Sequence, residues 1–154
     1  MIVLDPAQAR QTLTRLARAL DLPGTAICAA AVRHPALLSA DPEALRSRLA
    51  ANAQQLGVSL AGFITAALKT PPLFSLSTAN IAEKMPLIEA LQAATGLKPD
   101  MEAALRIAPS ALTYAAARLE QRIALARAYP GRFSFSVLLS MPQDKAQGLL
   151  DGRG

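Results

Sequence analysis

Tryptophan is absent from this chain of 154 residues, and only two tyrosines and four phenylalanines occur. Aromatic and β-branched side chains fill strands, so their scarcity argues against a sheet. Rings that could stack on bases are few: Phe74, Tyr114, Tyr129 and Phe133. That weighs against a dedicated single-strand binder. There is one cysteine, Cys28, and one histidine, His34. A lone cysteine excludes an intramolecular disulfide and cannot build a metal site by itself. Its run, Ala26-Ile27-Cys28-Ala29-Ala30-Ala31-Val32, reads as a helix in which the thiol is a small buried hydrophobe. His34 stands just before Pro35, where a helix ends, and has no second ligand or base partner in the sequence. A Gly-rich phosphate loop, a nucleophile elbow and an HExxH pair are all missing. The sequence therefore predicts no enzyme, no metal and no cofactor. No apolar run approaches the ~20 residues of a membrane span. Met1-Ile2-Val3-Leu4-Asp5-Pro6 shows no basic leader. The expected location is a bacterial cytoplasm, or an organelle if an import sequence precedes this chain.

What is present is alanine and leucine. Hydrophobic residues make up 52% of the chain, and these two favour helices. Basic residues number 16 against 11 acidic ones, a formal net charge of +5. Such an excess suits a phosphate-bearing partner.

A repeat organises the chain. Val32-Arg33-His34-Pro35-Ala36-Leu37-Leu38-Ser39 reads like Leu68-Lys69-Thr70-Pro71-Pro72-Leu73-Phe74-Ser75. Both resemble Leu105-Arg106-Ile107-Ala108-Pro109-Ser110-Ala111-Leu112-Thr113, with one extra residue before the proline. The prolines are 36 and 38 residues apart. Asp5-Pro6 and Asp41-Pro42 repeat at the same offset of 36, as do Leu13 and Leu49, Leu20 and Leu56, Ile27 and Phe63, and Ala31 and Ala67. Phe135 to Pro142 reads as a fourth helix-to-proline junction with one deletion. Ten residues after each of the three prolines stand Leu45, Ile81 and Leu119; fourteen after, Leu49, Met85 and Ile123. A spacing of four keeps each pair on one helical face. Those residues, with Leu56, Phe63, Leu68 and Leu105, are the expected core.

Local chemistry defines the unit. Asp41 can cap a helix beginning at Pro42, and Ser77 or Thr78 can do so one unit later. Gly57, Gly96 and Gly131 sit where C-cap glycines belong. A shorter helix follows, such as Leu60 to Lys69, and the proline stops it. The piece after the proline fits a 3₁₀ turn. Pro86 should kink or restart the helix from about Thr78 to Ala94. Gly62, inside a helix, suggests a close helix crossing. The expected fold is all-α: one domain, 1–154, forming a short right-handed or curved α-solenoid. Its helix–helix–3₁₀ repeats span about 5–39, 40–75, 76–113 and 114–142, with a C-terminal cap at 143–154. No such unit buries its apolar face alone, so units must stack.

The runs Pro35-Ala36-Leu37-Leu38 through Leu56-Gly57 and Pro71-Pro72-Leu73-Phe74 through Gly96-Leu97 resemble the mTERF repeat. That is the repeat of the mitochondrial transcription termination factors and their plant relatives. The resemblance covers most of Asp5 to Pro142. It implies a solenoid that binds double-stranded DNA, or structured RNA, along a basic face. Cations recur thirteen residues after each proline: Arg48, Lys84 and Arg122. Arg10 corresponds to Arg46 and Arg33 to Lys69 at offset 36, and Arg106 adds another. A row of these eight would run beside a phosphate backbone. The alternative function is a protein–protein scaffold whose groove holds a peptide or helix. An exposed apolar groove with scattered charge would favour that alternative.

Overall fold

The computed structural model describes residues 5–152. Among them are nine α-helices, three 3₁₀ turns and no strand. The helices are α1 Pro6–Leu20, α2 Gly24–Arg33, α3 Pro42–Leu56, α4 Leu60–Lys69, α5 Thr78–Ala94, α6 Met101–Ile107, α7 Ala116–Ala128, α8 Phe135–Ser140 and α9 Gln143–Leu150. The 3₁₀ turns are Pro35–Ser39, Pro71–Ser75 and Pro109–Thr113. The all-α expectation holds.

The repeat appears in the backbone itself. The residues before the three prolines are His34, Thr70 and Ala108. Their φ values are −143°, −130° and −146°, with ψ at 78°, 80° and 73°. Proline bars the residue before it from the α region, so each helix must end there. Each of the three still donates its N–H to the carbonyl four residues back, at 2.8, 2.9 and 2.8 Å. Other signals act as expected. Asp41 accepts from the Ala44 N–H at 3.1 Å. Gly57, Gly96 and Gly131 all have positive φ, between 73° and 84°, a region glycine enters without steric cost.

Contacts divide the chain into two compact units, with the division between Thr78 and Ala79. The division lies close to the expected boundary after residue 75. In the first unit α1 packs on α2 and α3, α4 packs on α2 and α3, and so equivalent helices of consecutive repeats lie side by side. Leu20, Leu45, Leu49, Leu56, Ile27, Phe63, Ala31 and Ala67 are buried there. In the second unit α7 packs on α8 and α9, and Ile81, Leu105, Leu119 and Ile123 are buried. Leu68 and Met85, also expected in the core, are half-buried.

Three local expectations are corrected, at Pro142, Cys28 and Gly62. Pro142 does not close a helix before a 3₁₀ turn; it is the N-cap of α9, a place like that of Pro23 before α2. Helix α8 is only six residues long, and α9 follows it with no 3₁₀ turn between them. Cys28 is exposed, because the buried stripe of α2 is Ile27, Ala30 and Ala31 and Cys28 falls off it. Gly62 meets no crossing helix. A Cβ there would lie 3.0 Å from the Ser59 Oγ, the oxygen that caps α4 by accepting from the Gly62 N–H. Helix α5 runs through Pro86 without restarting. Pro86 and Ala82 are both exposed, so the carbonyl deprived of its donor stays in water.

Candidate nucleic-acid interface

The eight cations singled out from the sequence do not form one exposed row. Arg10, Arg33, Arg46, Arg48, Lys69 and Arg106 are exposed. Lys84 is only 9% exposed and Arg122 is 0% exposed. The recurrence thirteen residues after each proline therefore yields one surface side chain and two buried ones. The reason is the register that makes the repeat. Position thirteen lies at the margin of the apolar stripe of positions ten and fourteen, where a long side chain either lies against its neighbours or extends to solvent.

Four of the eight donate to main-chain carbonyls. Arg33 Nη2 donates to the Lys69 oxygen at 3.1 Å, linking the two residues that correspond at offset 36. Arg48 Nη2 donates to Phe74 O at 2.6 Å. Arg46 Nη1 donates to Ala19 O at 2.5 Å. In a helix the donor for that oxygen would be residue 23, which is Pro23 and has no N–H. Arg122 Nε donates to Leu138 O at 2.8 Å and Nη2 to Met141 O at 2.8 Å; residue 142, four beyond Leu138, is again a proline. Prolines that stop helices leave carbonyls without donors, and arginines of neighbouring helices supply them. The pairs Ala19/Pro23 and Leu138/Pro142 were legible signals for these orphan acceptors.

Around Arg122 lies a polar network in which the buried Arg118 Nε has no partner. Arg122 Nη1 also meets the Gln121 side chain. Tyr114 Oη donates to Leu139 O at 3.1 Å, and the Arg118 guanidinium carbon lies 3.9 Å from the Tyr114 ring centre. Burial, and then the charge of Arg118, lower the Arg122 pKa, while Tyr114 opposes the shift. No carboxylate takes part in these bonds; the carbonyl end of α8 supplies the negative potential.

Three exposed cations of the first unit, Arg15, Arg18 and Arg46, meet in one place. Arg15 and Arg18, three apart on α1, share a face. They line an open cleft of about 510 Å³ together with Arg46 of α3. Asp41 and Glu43, at the start of α3, border the same cleft, and Asp41 spends one oxygen on its cap. Three guanidiniums against two carboxylates leave it cationic. Arg15 and Arg18 were not among the residues chosen from the sequence, because they do not recur at the repeat offset. Among the described residues no group of three His, Cys, Asp or Glu could hold a metal, and no helix is long and apolar enough to cross a membrane. No family model, no curated protein and no solved structure matches the chain.

Proposed function

We propose that this protein binds nucleic acid through the phosphate backbone, using the exposed arginines of α1 and α3. The observation that carries the reading is the convergence of Arg15, Arg18 and Arg46 on one open cleft, in a chain of net charge +5. Guanidiniums recognise phosphate oxygens with paired N–H groups and keep their charge at every physiological pH. Arg46 gives one N–H to Ala19 and keeps others for a ligand. Arg10, exposed further along α1, adds positive potential. The resemblance of the repeat to the mTERF unit supports the same ligand class.

Such contacts position a duplex and read no base. A peptide groove has less support. The exposed large apolar residues Val32, Leu97, Ile107, Val137 and Leu150 are spread over α2, the segment between α5 and α6, α6, α8 and α9.

The test is equilibrium binding to mixed-sequence duplex DNA, to a structured RNA and to single strands, over a range of salt concentrations. Duplex binding that weakens steeply with salt is expected, and the RNA arm separates the two phosphate sources. Protein as concentrated as ~100 µM that leaves all three unbound at ~50 mM salt would sink the proposal, since even non-specific duplex binding falls within that range.

A further inference from the structure

A second concavity of the first unit lies beside the 3₁₀ turns and shares no lining residue with the arginine cleft. Its volume is about 210 Å³, and it is lined by Ser39, Ser75, Arg48 and Phe74, with Ala36 and Ala40. Leu37 and Leu45 also border it, but they and Phe74 are buried. Its accessible wall is therefore two hydroxyls, a guanidinium and small methyl groups. No carboxylate lines it, in contrast to the cleft bordered by Asp41 and Glu43.

The polar groups are held in place. Arg48 Nη2 is fixed on Phe74 O at 2.6 Å, which sets the guanidinium beside the next residue, Ser75. A guanidinium has five N–H donors, so one bond to a carbonyl leaves others for a ligand. His34 Nε2 lies 2.6 Å from Ser75 Oγ, which fixes the hydroxyl rotor. The tautomer decides which of the two donates. Among the described residues no third side chain orients the imidazole, so the pair is read as a binding element and not as a nucleophile with its base.

His34 belongs to the first repeat and Ser75 to the second. At the positions equivalent to His34 stand Thr70 and Ala108, so only the first junction places an imidazole here. A cation with spare donors, two hydroxyls and no acid form the donor set of an oxyanion site.

We propose that this pocket binds a phosphate monoester, its oxyanion held by Arg48, Ser75 and Ser39. The volume exceeds one phosphate group and is open to solvent, leaving room for the ester substituent. The site shares no lining residue with the arginine cleft and does not depend on nucleic-acid binding.

His34 is the only histidine in the chain, so its ring carbon-bound protons give a single NMR reporter next to Ser75. Titration of the full chain with glycerol phosphate and with inorganic phosphate, at constant ionic strength, should move those resonances. The shift should saturate at a dissociation constant of ~1–10 mM, as a few charged hydrogen bonds to an open site allow. Glycerol phosphate should bind at least as tightly as phosphate. Arg48→Gln and Ser75→Ala should each weaken the effect at least tenfold. Arg48→Lys keeps the charge and serves as the second variant if loss of the Phe74 contact unfolds the Gln form. Arg15→Gln with Arg18→Gln should leave the titration unchanged while reducing nucleic-acid binding, so each reading can fail alone. Shifts no larger than those from matched sodium chloride would overturn the proposal. So would shifts that survive Arg48→Gln in a folded protein, or exclusion of glycerol phosphate.

Discussion

Arg122 Nε donates to Leu138 O at 2.8 Å, taking the place of a backbone N–H that Pro142 cannot offer. The same arrangement holds between Arg46 and Ala19, with Pro23 four residues on. Proline and arginine thus act together in this fold. One ends a helix, and the other repairs the acceptor left behind.

Removal of Arg122 should therefore act on stability. Arg122→Leu strands the carbonyls of Leu138 and Met141, at about 1–3 kcal/mol for each unsatisfied buried acceptor. Urea denaturation of the variant against Arg106→Gln checks this. The exposed Arg106 change should stay within about 0.5 kcal/mol. Equal stability of the two variants would show that Arg122 holds nothing together.

Leu49 and Ile123 hold equivalent places after Pro35 and Pro109, and both are buried. Their replacement by alanine should each cost about 2–5 kcal/mol. Thermal melts of the two variants, one in each compact unit, measure this. Losses under ~1 kcal/mol at both positions would break the register of the repeat.

Pro86 offers a change in the other direction. It lies exposed inside α5 and denies a donor to Ala82 O. Pro86→Ala restores that N–H and a better helix former, worth up to about 3 kcal/mol. A higher melting temperature is expected. An unchanged or lower one would mean that α5 needs the proline's geometry.

The exposed thiol of Cys28 should react with a disulfide reagent in the folded protein. Complete titration before any loss of helical circular dichroism is the expected result. A thiol that reacts only in denaturant would put Cys28 back in the core.

For nucleic-acid binding, each phosphate contact on duplex DNA contributes about −0.9 to the slope of log affinity against log salt. Arg15→Gln with Arg18→Gln should flatten that slope by about two contacts' worth, alike on every sequence. A loss of discrimination between sequences with the slope unchanged would point to base reading instead.

The sequence by itself determined the helices, their ends and their repetition, because these depend on neighbours along the chain. A proline forces the residue before it out of the α region, an aspartate caps the next three residues, and a glycine takes the left-handed turn. Each acts within a few positions, so periodic placement of Pro35, Pro71 and Pro109 produced periodic structure. Only the tertiary structure decided which cations face water. Arg48, Lys84 and Arg122 share a sequence register, yet Arg122 is sealed against α8 and Arg48 lies exposed on α3. Both arginines donate to a carbonyl of another element, so the packing of the chain around that carbonyl settles which side chain is buried. Arg15 and Arg18 gained their place at a cleft in the same way, from the packing of α1 against α3, which no one-dimensional spacing encodes.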